Sequence, residues 1–271
     1  MIEVSTSGPK SAVNRVTRSR VFERFARAGF VMAGVVHLLI GYLAVRIAFG
    51  GSGSTDQSGA MAELATKPGG VPALVFAVAA FVFMALWRLT EAALGSRDGG
   101  DEDRSSDLFH RGKALAVALV YFGYALTAFS FVRGSGKSSG GQNAGLSARL
   151  MESTGGKVAL VVAGLVIIAV GGYHIYKGAT RKFLEKLHTH NGLVRKLGTV
   201  GYLSKGSAIA GVGVLVIVAV NQSDPGKASG LDAALKTLGG QPFGPVLLVA
   251  AGLGIAAYGL YDLACARYAK M

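Results

Sequence analysis

Six stretches of the chain are apolar almost without interruption, separated by glycine-rich, polar or charged segments. They run over residues 28–49, 71–94, 114–132, 158–176, 198–220 and 243–263. At about 1.5 Å of rise per residue, roughly 20 apolar residues cross a hydrocarbon core of about 30 Å. In water, segments of this kind would have to be buried on every side. In lipid, a helix satisfies its own backbone hydrogen bonds and needs no other cover. The pattern predicts an all-α, polytopic membrane protein with six transmembrane helices.

The polar segments orient the spans. The first 27 residues carry Lys10, Arg15, Arg18, Arg20, Arg24 and Arg27. A cleavable signal peptide would place its apolar core earlier and end in a small-residue cleavage site. The basic arm therefore reads as cytoplasmic, and the first helix as retained. With that orientation the inner segments and helix ends hold 20 of the 28 lysines and arginines, and the outer side holds eight. This is the bias of the positive-inside rule, with both termini cytoplasmic in an inner (plasma) membrane. Trp87, Tyr173, Tyr176, Tyr258 and Tyr261 fall at inner helix ends, where an aromatic belt is expected.

A repeat underlies the pattern. Gly59-Ala60-Met61-Ala62-Glu63-Leu64, Gly145-Leu146-Ser147-Ala148-Arg149-Leu150 and Gly230-Leu231-Asp232-Ala233-Ala234-Leu235 begin 86 and then 85 residues apart. Each is followed by a glycine pair, at Gly69-Gly70, Gly155-Gly156 and Gly239-Gly240. The same spacing aligns Trp87, Tyr173 and Tyr258, and the odd helices match at Gly41, Gly123 and Gly213. The chain thus reads as three tandem units of helix, outer loop and helix, with a short amphipathic helix in each loop. An even number of spans per unit points all three the same way, so parallel repeats around a pseudo-threefold axis along the membrane normal are expected. The division is a basic arm over 1–27, repeats over 28–97, 111–183 and 198–271, and charged or basic linkers over 98–110 and 184–197.

These residues resemble a family, the bacterial domain of unknown function 1206, common in actinobacteria, a two-helix membrane unit that occurs in tandem. The first copy shows Gly29-Phe30, Ala33-Gly34, Ile40-Gly41-Tyr42-Leu43-Ala44 and Trp87-Arg88; the third shows Gly201-Tyr202, Lys205-Gly206 and Ala257-Tyr258. The second copy departs most, with Arg111 and Ala116 where the others have glycine. The resemblance covers about residues 27–270 and implies no activity.

Composition narrows the chemistry. Of 271 residues, 51% are hydrophobic and 16% charged, against about 25% charged in a soluble domain. Cys265 is the single cysteine, so no internal disulfide exists. The net charge of +13 fits a basic cytoplasmic face that meets anionic lipid headgroups better than it fits nucleic acid, and none is expected as a partner. The sequence has no P-loop, zinc-protease motif or nucleophile elbow, and the glycines lie inside helices without the strand a dinucleotide site requires. His188 and His190 form a His-x-His pair without further ligands nearby, so no metal or other cofactor is expected.

The small residues Gly29, Gly34, Gly41, Gly123, Gly201, Gly206 and Gly213 are assigned to close helix packing. His37 is the polar residue nearest the middle of a span. Its repeat counterparts, Leu119 and Ile209, are aliphatic, which predicts that His37→Leu is tolerated. At the inner ends of the even helices stand Arg88 and Glu91, His174 and Lys177, and Asp262, with Glu91, Lys177 and Asp262 in one register as acid, base and acid. Lys205 can stretch toward them. These seven polar residues are the candidate intramembrane site, as interfacial ion pairs or as a gate. The leading expectation is a non-enzymatic accessory or scaffold subunit of a larger envelope or transport complex, with a membrane-protein partner. A small transporter or channel for protons, ions or a lipid-like molecule is the alternative.

Overall fold

The computed structural model describes residues 20–94, 104–136, 138–189 and 191–269. The basic arm up to residue 19, the segment 95–103 and His190 lie outside the described residues. The long helices are α1 (Arg20–Ala48), α3 (Gly70–Leu94), α4 (Arg104–Val132), α6 (Thr154–Ala179), α7 (Gly192–Gln222) and α9 (Gly244–Tyr268). Each is long and apolar enough to cross a bilayer. Between the two long helices of each repeat lies a short one: α2 (Gln57–Ala65), α5 (Ser139–Met151) and α8 (Leu231–Gly239). All three repeated Gly-apolar-x-Ala-x-Leu segments are therefore helical in the loops, apart from Gly230, which caps α8.

Local chemistry sets the ends. Asp56 accepts the Gly59 N–H at 2.8 Å and starts α2, and Ser153 accepts the Gly156 N–H at 3.0 Å and starts α6. Asn191 does the same for α7 through Leu193. These side chains satisfy amides that the first helical turn leaves free. At the turn into α9, Phe243 adopts φ 61°, and Pro245 in the first turn needs no hydrogen-bond partner.

Packing runs between repeats more than within them. The second long helix of one repeat lies on the first of the next: α3 on α4, and α6 on α7. The last helix, α9, returns to pack along α1. Within repeats, α7 and α9 pack together, whereas α1 and α3 touch marginally, and α4 and α6 are not packed on one another. Arg27 fastens the α1–α9 pair by donating from Nη1 to the carbonyls of Ala266 (2.6 Å) and Arg267 (3.0 Å) at the end of α9. A cation there also meets the negative end of the helix dipole.

Glycine contacts fix the register of these pairs and correct two sequence alignments. A Cβ on Gly41 would fall 2.6 Å from the Gly252 carbonyl, and one on Gly34 would fall 2.9 Å from the Gly259 carbonyl. On α7, Gly213 and Gly206 stand in the same relation to Gly164 and Gly171 of α6, at 2.6 and 2.7 Å. Gly164 and Gly171 thus correspond to Gly252 and Gly259, an offset of 88 rather than 85. The third copy carries three extra residues, Gln241, Pro242 and Phe243, before its long helix. Gly244, not Gly240, is the counterpart of Gly70 and Gly156, each set against a carbonyl ending the preceding loop helix. In the second copy, buried Ala118 and Ala125 take the places of Gly34 and Gly41, and Gly123 has open space around it.

At the loop end the three repeats are tied pairwise. Thr55 donates its N–H (2.7 Å) and hydroxyl (3.1 Å) to Asp232 of the third repeat. The Ser139 N–H of the second donates to Ser58 of the first at 3.0 Å, and Asn143 donates to the Ser229 carbonyl at 3.3 Å. Thr55 is fully buried, so its amide cannot turn to water instead. Asp232→Ala is expected to lower thermal stability in detergent by about 1 kcal/mol or more; an unchanged melting temperature would show that this tie adds nothing.

Candidate functional site

Three polar residues of the long helices, His37, Lys205 and Asp262, gather at α9. His37 reaches Asp262 from α1, with Nδ1 3.0 Å from Oδ2. The same Nδ1 lies 2.7 Å from the Ala33 carbonyl one turn back. A carbonyl only accepts, so Nδ1 carries the hydrogen and gives it to Ala33. The approach to Asp262 is therefore electrostatic, and its Oδ2 accepts no hydrogen bond from any described residue. Asp262 is 5% exposed. A carboxylate oxygen so placed is costly unless charge is balanced close by.

Tyr258 connects this pair to α7. The His37 ring meets the Tyr258 ring edge-on at 4.9 Å, and the Lys205 Nζ stands over that ring at 4.1 Å from its centre. The two basic side chains thus share one aromatic ring, Lys205 through a cation–π contact. Tyr258 also packs on Tyr202 at 5.2 Å, and the Lys177 Nζ lies 5.0 Å over the Tyr202 ring. Beneath them Phe183, 1% exposed, stacks on Tyr202 and meets Tyr261 edge-on. The linker bearing Phe183 is held to the chain end by the His188 N–H, which donates to the Tyr268 carbonyl at 2.7 Å. An aromatic floor therefore closes the cluster on the side of the chain termini.

The expected acid, base and acid register does not form. With the 88-residue offset, Asp262 is level with His174 and Arg88, and Lys177 is level with Cys265. Arg88 pairs instead with Glu91 on its own helix at 2.5 Å, and His174 turns to its own helix and the Val170 carbonyl at 2.9 Å. The structure brings together His37, Lys205 and Asp262, with Lys177 and His174 one ring further, both against Tyr202, and leaves Arg88 and Glu91 outside that group. Sequence reasoning did not connect His37 with Asp262, and it missed Tyr202 and Tyr258 as the rings that join the basic residues. The signal lies in the α9 slide, detectable only from the Gly252 and Gly259 spacing.

Among the packing glycines, Gly34, Gly41, Gly206 and Gly213 take their assigned roles. Gly201 does too, its missing Cβ making room for Tyr258 of the same hairpin. Gly29 and Gly123 do not: neither has an atom of a neighbour within 4 Å of a Cβ position. Gly29 corresponds to Gly201, but α3, the partner in its hairpin, stands away from α1.

A second polar feature lies at the loop end, a cavity of 390 Å³ lined by Leu43, Arg46, Ser54, Ser58, Glu63 and Phe131. Glu63 is contacted by Lys67 at 2.8 Å and Arg46 at 3.4 Å. The Lys67 hydrogen bond holds its carboxyl below the ordinary value of 4.5. A depressed carboxyl contributes stability that is present above its unfolded value and lost as pH falls through its folded one. Lys67→Met is expected to lower the melting temperature slightly at pH 7 and to have no effect in acid below that folded value. A loss of equal size at both would place the effect elsewhere. No cluster of three or more histidine, cysteine, aspartate or glutamate side chains suited to a metal occurs among the described residues.

A family model, Domain of Unknown Function (DUF1206), matches the chain three times, over residues 28–95, 112–181 and 200–269. These boundaries carry the same 88-residue offset between the second and third copies. The chain is also similar to the uncharacterized protein YxxB of Bacillus subtilis (strain 168), with 27% identity over 257 residues covering 92% of each chain. No solved structure matches.

Proposed function

The chain belongs to the DUF1206 family in three tandem copies, and from that premise we propose that it is a non-enzymatic accessory or scaffold subunit of a larger cell-envelope or transport complex. The observation that carries this reading is the unequal closure of the bundle. The apolar cores of α4 and α6 are 17% buried, against 44% for α9. They are consecutive in the chain, yet they do not pack together. Small residues face outward on both, with Gly112, Ala116 and Gly123 on α4 and Ala159 and Ala163 on α6. Small faces let a neighbouring transmembrane helix approach closely, which suits this flank to a membrane-protein partner. The three hairpins are related by a pseudo-threefold axis along the membrane normal, a reading supported by the cyclic pairing of α3 with α4, α6 with α7 and α9 with α1. Both termini are cytoplasmic, with anionic headgroups against the basic face.

Photo-crosslinking residues at Gly123 and Ala163 in cells should capture the same membrane protein, and one at exposed Val214 on α7 should not. Equal capture from all three sites, or from none, would remove the docking flank. For orientation, cysteines introduced at Ser139 and Ser223 should react with an impermeant reagent from outside. Protection at both with reactivity at Ser105 would invert the topology.

A further inference from the structure

We infer that His37 and Asp262 form a proton-binding site inside the membrane-spanning bundle, with Nε2 of His37 as the atom that takes the proton and Asp262 as its counter-ion. Three observations carry this. The Nδ1 hydrogen of His37 is committed to the Ala33 carbonyl, so Nε2 is the ring atom left to be protonated. The Asp262 Oδ2 lies 3.0 Å from that ring, buried and without a hydrogen-bond donor among the described residues, so positive charge on the imidazole answers an unsatisfied carboxylate oxygen. The other two repeats have no such pair: in the register set by the glycine crossings Tyr121 and Ile209 stand where His37 does, and Arg88 and His174 stand level with Asp262. The pair is thus an addition to the repeat fold and not a requirement of it.

The step is a simple uptake. One proton from water adds to Nε2, the imidazole becomes an imidazolium facing the carboxylate, and no other bond changes. Every packed element contributes groups to this environment. On α9 these are Tyr258, Tyr261 and Cys265, and on α7 they are Tyr202 and Lys205. From α6 Lys177 lies over Tyr202, and His174 packs at 5.9 Å from the same ring. From the α3–α4 pair Tyr121 lies within electrostatic reach of both Asp262 and Arg88. Of these side chains, Tyr258 meets the His37 ring directly, and Lys205 lies over the same ring. Proton uptake changes the net charge of the cluster.

Purified protein in detergent, titrated from about pH 8 to about pH 5, the range in which histidine changes charge, provides the test. Wild-type protein should take up about one proton more per molecule than His37→Gln, and Asp262→Asn should lose the same proton. Equal uptake by wild type and both variants overturns the site. Should either variant fail to fold, a protein retaining His37 alone among its five histidines can be labelled with nitrogen-15 at histidine. Its Nε2 resonance should move across the range, and a resonance that stays fixed overturns the proposal. Neither measurement depends on a partner subunit, so failure here leaves the docking flank standing.

Discussion

Replacing His37 with leucine is expected to destabilise the folded protein by about 1–3 kcal/mol, the cost of leaving a buried polar group without its nearest polar neighbour. Read from the aligned sequence alone, this substitution looks harmless, because Leu119 and Ile209 fall at the corresponding positions; the glycine crossings put Tyr121, not Leu119, at that level in the second copy. On the helices packed there Arg88 and His174 stand at the level of Asp262, so no acid waits at those positions, whereas His37 faces Asp262 at 3.0 Å. The double variant His37→Leu with Asp262→Leu should recover most of the loss, because replacing both partners of a buried polar pair by apolar groups of similar shape costs little. Reversible unfolding in mixed micelles measures both. If the single variant is as stable as the double, Asp262 does not depend on His37.

The second large effect is expected at the glycine crossings. Gly213→Leu would drive a side chain into the Gly164 carbonyl and Ile168, forcing α6 and α7 apart. Overpacking of this kind costs about 1–3 kcal/mol, and more where backbone must move. Gly29→Leu and Gly123→Leu enter open space and should stay within about 0.5 kcal/mol of wild type. All these residues are helical glycines in an apolar segment, so composition does not separate them. Comparable losses at Gly213 and Gly123 would mean that the crossing does not control stability.

The six spans were legible because about 20 continuous apolar residues have one common explanation, and the loop helices because their motif recurs three times. The register was only partly legible. Tyr258 and Tyr261 sit one helical turn apart on α9, and either can be matched to Tyr173 by eye. The choice moves Asp262 from the level of Lys177 to that of His174. Gly123 misled for the same reason: a glycine two residues from the true position, Ala125, is the more visible anchor. The pairing of His37 with Asp262 was not legible at all. Repeats show which residues correspond, but not which helices touch, and the decisive contact joins the first long helix to the last.

That contact has a consequence for how the protein is made. Of the six spans α1 leaves the ribosome first, and it finds its main partner, α9, only after the other four have been translated. Until then Gly34 and Gly41 of α1 face lipid or whatever helix the insertion machinery supplies, while α3 and α4 can pair much sooner. Assembly is therefore expected to proceed from adjacent repeats and to finish at the ends, with the α1–α9 seam as its last step. A chain truncated before Gly244 would insert all its earlier spans and still lack the clasp that makes them one body.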